Sequence, residues 1–258
     1  MTIEITNIVP IIAFWLVFTR MLAINFQLPI YDEMPIPVMV KVLTTLVISF
    51  CFFPYVSGQV IRDINYVGQD SFWLLTISYS VVGLTIGFMV KAIMSLFISS
   101  GSIISQQVGF AAVRYFDPSS NTQVGPFEQV IKWTILVTIV SSGALLPMFK
   151  GVYQSFFTIT LVDMGTFGKS PIFFMEMFKS LFVSSILLAS PLIFTNMLIM
   201  TVLGIIARTV PQMNVIMVSF AVTIGLGLIV FVATSDEFFH IAYKLYTSKL
   251  GEWFNFVI

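Results

Sequence analysis

The sequence predicts an all-α membrane protein, and both its composition and the distribution of its apolar residues lead to this prediction. Hydrophobic residues make up 58% of the 258 residues and charged residues 9%, whereas a soluble domain carries about 25% charged residues. The apolar residues lie in long runs, each near the ~20 residues that a helix needs to cross the hydrocarbon core of a bilayer. A chain of this length suits one all-helical domain.

Six apolar runs are expected to form the spanning helices. They occupy residues 5–26, 38–55, 72–98, 130–149, 172–206 and 215–233. The fifth run is too long for one simple span, and Pro191 is expected to kink or break it because proline cannot donate an interior helical hydrogen bond. Gly83 and Gly87 in the third run have the small-residue spacing that lets another helix approach closely, and Gly225 and Gly227 suit the same role in the sixth.

Turn-forming residues separate these runs. The first loop contains Pro29, and the others are expected at residues 58–70, 99–129, 151–171 and 208–212. After Ala233 the chain is expected to form a short amphipathic helix, because apolar residues recur at helical spacing. This tail suits either a membrane surface or a partner, and the sequence does not choose between them. Its apolar positions are Phe238, Ala242, Leu245, Tyr246, Leu250, Trp253 and Val257.

The loop at residues 99–129 differs in composition from the rest of the chain. It places a pair of amides, a flexible glycine and an aromatic ring in an otherwise apolar sequence, and an Asp-Pro pair that marks a turn follows them. We interpret the rest of the chain as a frame that holds this loop across a pore. The residues concerned are Gln106, Gln107, Val108, Gly109 and Phe110, followed by Asp117 and Pro118.

Two basic residues lie inside apolar runs, where a charge is costly and usually faces a partner or a water-filled cavity. Arg20 lies near the end of its run, where its long side chain can reach an interface. Lys91 lies deeper, and we favour a polar contact with a neighbouring subunit over a role in an ion path. The loop charges show little asymmetry, so we expect that some helices are buried against other subunits rather than in lipid.

The sequence contains none of the motifs HExxH, Walker A or GxSxG, and it has no cluster of cysteine and histidine. Its only histidine is His240, and its only cysteine is Cys51. We therefore expect neither an enzyme nor a bound metal or cofactor, and any energy source must lie outside this chain. The net charge of zero gives no indication of nucleic-acid binding.

Two motifs add a resemblance to a known family. The first is Gln-Gln-x-Gly followed by Asp-Pro, and the second is Arg-x-x-Pro-Gln-x-Asn, preceded by a proline and a glycine. With an arginine and a proline in the first hairpin, they resemble the FliR family of export-gate subunits of the flagellar type III secretion apparatus, over essentially the whole chain. The one departure from the family pattern is Lys41, where arginine is expected. Besides the first motif, the residues that carry the resemblance are Arg20, Pro29, Pro191, Gly204, Arg208, Pro211, Gln212 and Asn214.

The resemblance implies an architecture of helical hairpins and a set of partners. The chain would join FliP and FliQ in a helical assembly around a central export channel, with FlhB and FlhA as neighbours. Residues 1–170 would be the FliP-like part, with a plug loop at residues 99–129, and residues 171–258 the FliQ-like hairpin with the amphipathic tail. The assembly would lie in the bacterial inner membrane at the flagellar basal body, with much of it above the bilayer plane.

In the family, the loop after the third apolar run is implied to plug the closed channel. Phe110, with Val108 beside it, suits an apolar constriction that excludes water and ions. Gln106 and Gln107 can satisfy backbone groups of the loop, and Gly109 permits a tight turn. The alternative is that Phe110 only packs against helices.

The second motif suits a helical hairpin. Arg208 is expected to end one helix, where a cation suits the helix dipole, and Pro211 to lie in the first turn of the next. Gln212 and Asn214 would either hydrogen-bond to a neighbouring subunit or only cap the hairpin.

Taken with the resemblance, the sequence predicts a non-enzymatic subunit of the channel through which unfolded flagellar proteins are exported. The alternative is a secondary transporter for a small solute, which predicts paired broken helices around a polar midplane site. Pro191 offers only one such break. A membrane-embedded hydrolase is disfavoured because the sequence offers no nucleophile with its base.

Overall fold

The computed structural model describes residues 8–28, 36–68, 71–110, 126–143, 145–159, 171–210, 212 and 214–257. In these ranges the chain forms seven α-helices and no β-strand. The helices are α1 (Val9–Asn25), α2 (Val38–Val67), α3 (Phe72–Gln107), α4 (Pro126–Ser141), α5 (Leu145–Thr158), α6 (Pro171–Thr209) and α7 (Val215–Val257). The predicted all-α class is confirmed for the described residues.

Four helices, α2, α3, α6 and α7, are long and apolar enough to cross a membrane, and α4 with α5 adds a fifth if that pair forms one broken span. The sequence predicted six spans. Within the described residues, the first run forms the 17-residue α1, which rises about 26 Å along its axis, less than the ~30 Å of the hydrocarbon core. The fourth run is divided between α4 and α5.

Several predicted loop boundaries are wrong, because hydropathy does not report where the backbone leaves the helix. α2 continues to Val67 and α3 to Gln107, and α5 occupies residues placed in the loop at 151–171. The break between α4 and α5 comes instead at Ser142 and Gly143, within the run predicted as one span. Gly143 has a φ of +72°, which glycine adopts without the steric cost of a side chain.

Pro191 does not break α6, which is continuous from Pro171 to Thr209. A proline at this position leaves the carbonyl of Leu187 without its helical donor. The Ser190 hydroxyl donates to that carbonyl at 2.7 Å, and so replaces the missing bond. Of the predicted kink or break at Pro191, the break is therefore absent, and Ser190 supplies the donor that proline lacks.

The predicted tail is the continuation of α7 rather than a separate element. Its apolar face is confirmed, since the side chains at spacings of three and four are buried while Lys244 is exposed. Leu245 is half-buried, and the side chain of Val257 lies outside the described part of the chain. The buried residues of this face are Phe238, Ala242, Tyr246, Leu250 and Trp253.

The chain divides into two compact units, each built from separated stretches of sequence. The first comprises Met1–Ile93, Ala144–Met175 and Lys249–Ile258. In it, α1 packs closely on α3: a Cβ added to Gly83 would lie 2.5 Å from the carbonyl oxygen of Arg20, and one added to Gly87 would lie 3.1 Å from Cα of Ile24. The predicted close approach at these two glycines is confirmed.

The C-terminal end of α7 also packs in the first unit. Trp253 is completely buried, and Phe173 stacks on Phe256 with ring centroids 3.9 Å apart. Gly151 of α5 lies against the ring of Phe254, where a Cβ would not fit. The apolar face of the tail is thus covered by its own chain.

The second unit comprises Met94–Gly143 and Glu176–Ser248. Phe97 of α3 packs on Tyr246 of α7 with ring centroids 6.3 Å apart. Gly101 faces α4, where an added Cβ would lie 3.2 Å from Cγ2 of Ile131. These contacts fix the C-terminal half of α3 and so position the end of that helix.

Candidate functional site

The end of α3 and the residues just after it form a tight turn, which we call the α3 turn (residues 106–110). The N–H of Phe110 donates to the Ser105 carbonyl at 3.1 Å, and the N–H of Gly109 donates to the Gln106 carbonyl at 3.0 Å. This pair of bonds is the Schellman motif, which needs a left-handed residue after the helix. Gly109 supplies it with a φ of +93°, so the predicted role of this glycine in a tight turn is confirmed.

Two glycines bring the α3 turn into contact with α7. A Cβ added to Gly227 would lie 3.1 Å from Cα of Val108, and one added to Gly109 would lie 3.1 Å from Oγ1 of Thr223. Val108 is completely buried. The close approach predicted for Gly227 is confirmed, whereas Gly225 faces open space.

A side-chain hydrogen bond joins the α3 turn to α6. The Asn196 Nδ2 group donates to Oε1 of Gln107 at 2.6 Å. Gln106 is exposed, and its amide reaches Oγ of Ser102 only at 3.5 Å. The two glutamines therefore differ in environment.

Asn196 is the residue of this site that the sequence reasoning missed. The available signal was an amide in the long apolar run of α6, since a polar residue inside such a run usually has a specific partner. Its Oδ1 is buried and has no hydrogen-bond partner within the described ranges. The half-buried Phe110 ends the described part of the turn, and Asp117 and Pro118 lie outside the described residues.

The second motif forms the end of α6 and the start of α7. Arg208 lies in the last turn of α6, as predicted. α7 begins at Val215, later than Pro211 indicated, and Pro211 itself lies outside the described residues. The Asn214 side chain accepts a bond from the N–H of Met217 at 3.4 Å, the position of an N-cap.

Three residues of the second motif are exposed on this hairpin. Gly204, Arg208 and Gln212 are all exposed, and a Cβ added to Gly204 would meet nothing within 4 Å. On α3, Lys91 is exposed as well. Pro29 lies outside the described residues.

Arg20 does not reach an interface, contrary to the expectation from its place near the end of a run. It is 1% exposed, and its Nη2 donates to the carbonyl oxygen of Ser155 at 2.8 Å and to its Oγ at 3.0 Å. The Phe156 ring lies 4.3 Å from the guanidinium carbon, so a cation–π contact adds to the hydrogen bonds. This buried arginine therefore ties α1 to α5 in the first unit.

Comparison with known proteins places the chain in a family. The sequence profile described as "Bacterial export proteins, family 1" matches residues 11–248. The chain belongs to this family, the family of FliR. The FliR relatives are named flagellar biosynthetic proteins, so the family gives the chain a role in flagellar protein export. Its four long apolar helices are consistent with a membrane-embedded component.

The similarity to individual relatives extends over most of both chains. The flagellar biosynthetic protein FliR of Bacillus subtilis (strain 168) is 26% identical over 239 residues, which cover 91% of this chain and 90% of the relative. FliR of Borreliella burgdorferi is 30% identical over 190 residues, 70% of each chain. FliR of Escherichia coli (strain K12) is 23% identical over 215 residues, 81% of this chain and 78% of the relative.

Proposed function

We propose that the chain is a non-enzymatic subunit of the flagellar type III export gate, in the bacterial inner membrane at the basal body. It forms part of the channel through which unfolded flagellar proteins leave the cytoplasm, and residues from the α3 turn onwards plug that channel when it is closed. The family supports the role in export. The site supports the assignment of the plug to the end of α3.

The observation that carries this proposal is the burial of α3. In the most apolar 18-residue stretch of α3, 56% is buried within the chain. The same fraction is 11% for α2, 28% for α6 and 11% for α7. A backbone that leaves the helix at membrane depth is tolerated only where protein surrounds it or where it lines a wet cavity. The α3 turn ends the most protein-enclosed of the four helices, which is where a channel-lining loop can leave a helix.

The exposed faces of the other long helices support an assembly with FliP and FliQ, and with FlhB and FlhA beside it. Phe50 and Tyr55 on α2 and Phe182 and Phe194 on α6 are each more than half exposed. Large apolar surfaces of this kind are covered by lipid or by partner subunits. In the proposed gate, the residues 1–170 act as the FliP-like part and the residues 171–258 as the FliQ-like part.

The transporter alternative has lost its main support. It relied on Pro191 to supply one of two broken helices, and α6 is continuous through that residue.

The proposed plug predicts an ion leak when its apolar residues are removed. Replacement of both Val108 and Phe110 by glycine should raise the conductance of membranes that contain the assembled gate, because an apolar constriction excludes ions by dewetting. Conductance is measured in cells that carry the variant as their only copy, and Phe110→Leu, which keeps the position apolar, is the control. Unchanged conductance with normal assembly would contradict the plug assignment.

A deletion test addresses the export role itself. A strain that lacks the gene should secrete no flagellar filament protein, and the wild-type chain supplied in trans should restore secretion. Normal secretion without the chain would refute the proposed function.

A further inference from the structure

We infer that α6 and α7 form a seat for the α3 turn, and that export requires the turn to leave it. The seat consists of Asn196, Thr223, Ile224 and Gly227, and Asn196 is its positioning residue. This inference rests on the function proposed above for the turn, and it names what holds the turn in the closed state.

The polar part of the seat is one contact. The Asn196 Nδ2 group reaches Oε1 of Gln107 across 2.6 Å, between residues that lie 89 positions apart in sequence. A hydrogen bond between two neutral amides fixes the direction of the Gln107 side chain. Since Gln107 is the last residue of α3, this bond positions the start of the turn.

The apolar part of the seat depends on the shape of α7. Gly227 leaves the space into which Val108 packs, with Cγ2 of Val108 3.3 Å from where a Cβ of residue 227 would lie. Gly109 in turn lies against Thr223 and Ile224, at 3.1 Å and 3.4 Å from its own virtual Cβ. Each glycine therefore leaves room for a side chain of the facing segment, and a side chain added at Gly227 would require Val108 to shift by a few tenths of an ångström.

Two features of the seat favour release of the α3 turn. Its polar contact leaves Oδ1 of Asn196 buried without a partner in the described part of the chain, although buried polar atoms are normally paired. The seated state therefore lacks part of the stabilisation that a fully satisfied network would give. Next to the contact, Gly109 offers the backbone freedom for the turn to change its direction.

A reversible cross-link tests whether the turn must leave the seat. In the Val108→Cys/Gly227→Cys variant the two Cβ atoms start about 3.4 Å apart, close to the ~3.5–4.5 Å of disulfides. Cys51 is the only native cysteine and is exposed, so a Cys51→Ala background removes competing thiols. Copper phenanthroline is the oxidant and dithiothreitol the reductant, and cells carry the full-length variant as their only copy.

We expect oxidation to join the two cysteines and to stop secretion of filament protein, and reduction to restart it. The control pair is Val108→Cys/Gly225→Cys, because residue 225 faces open space and should neither cross-link nor block secretion. A cross-link confirmed by peptide mass with secretion unchanged would overturn the requirement for release. Absence of the cross-link in an assembled, secreting gate would overturn the seat. The deletion strain separates these results from failure of the proposed function, because a strain that lacks the chain would then secrete normally.

A second set of variants tests Asn196 as a positioning residue. Asn196→Leu removes the donor at similar volume, and we expect it to raise ion conductance while chain abundance and assembly stay normal. The exchange variant Gln107→Asn/Asn196→Gln keeps an amide pair of the same combined length, and we expect it to restore low conductance. A merely structural role would lower abundance instead, and equal conductance in all three chains would contradict the role of Asn196.

Discussion

The side chain of Arg20 is anchored to Ser155 in the interior of the first unit, by bonds of 2.8 Å and 3.0 Å from a single nitrogen. A second buried charge lies in the same unit, since Asp63 is 3% exposed and accepts a 2.7 Å bond from the Tyr79 hydroxyl. The Tyr79 ring centroid lies 5.7 Å from the guanidinium carbon of Arg20. Tyr79 therefore lies between a buried cation and a buried anion, and α1, α2, α3 and α5 share one polar network.

Removal of one charge from this network should destabilise the chain strongly. Arg20→Met removes the two buried bonds to Ser155 and the attraction of the guanidinium for Asp63, and removal of one charge from a buried charged network costs about 3–5 kcal/mol. We expect a large fall in the thermal unfolding temperature of the chain in detergent micelles. Lys244→Met, at an exposed basic residue outside this network, is the control and should have little effect.

The double variant Arg20→Met/Asp63→Asn should recover part of that loss, because it removes both charges. Recovery in the double variant separates a charge effect from the lost packing of the arginine side chain. If the double variant unfolds as the sum of the two single variants, the charges do not interact through Tyr79.

Gly83 should not tolerate a side chain. Gly83→Ala places a Cβ 2.5 Å from a backbone oxygen of α1, and backbone atoms cannot move aside as a side chain can, so α1 must separate from α3. Gly58→Ala is the matched control within a helix, because nothing lies within 4 Å of its added Cβ, and it should stabilise the chain by about 0.5–1 kcal/mol. Thermal unfolding measures both changes, and equal effects at the two positions would contradict the close packing of α1 on α3.

The same substitution at two glycines of α7 should separate the seat from helix propensity. Gly227→Ala should raise membrane conductance, because its Cβ would lie 3.1 Å from Cα of Val108 and the α3 turn must shift by a few tenths of an ångström to accept it. Gly225→Ala gains the same helix propensity but meets nothing within 4 Å, so it should leave conductance unchanged. A leak in both variants, or in neither, would argue against the contact between Val108 and Gly227.

Ser190 should matter only while residue 191 is a proline. Ser190→Ala leaves the Leu187 carbonyl unbonded in an apolar setting, with an expected cost of about 1 kcal/mol. In a Pro191→Ala background the backbone N–H of residue 191 takes over that carbonyl, and Ser190→Ala should then be nearly neutral. A double-mutant cycle on unfolding free energy measures the coupling, and additive effects would show that the serine does not replace the missing bond.

The sequence was sufficient for the features that depend on local patterns. Long apolar runs gave the helical class, the spacing of Gly83 and Gly87 gave the close approach of two helices, and the tail residues gave one buried face. The position of Arg208 at the end of α6 was also predicted from the local sequence. Each of these depends on residues within one helix, so periodicity and side-chain size report it directly.

The rest depends on contacts that are distant in sequence or on geometry that hydropathy does not encode. Ser142 and Gly143 are too few to interrupt an apolar run, so the break between α4 and α5 was missed. The expectation of a break at Pro191 did not take account of the Ser190 hydroxyl, which donates to the carbonyl that proline leaves without a donor. Arg20 and Asn196 find partners more than 80 positions away along the chain, and no local pattern identifies those partners.

The central claim is that this chain works as a subunit of a multi-protein gate and not alone. We would purify the affinity-tagged chain from its native membrane in mild detergent and determine the intact mass of the complex. We expect FliP and FliQ to co-purify in fixed multiple copies with each copy of this chain. A chain that elutes alone, or as a homodimer with a bound small solute, would contradict it.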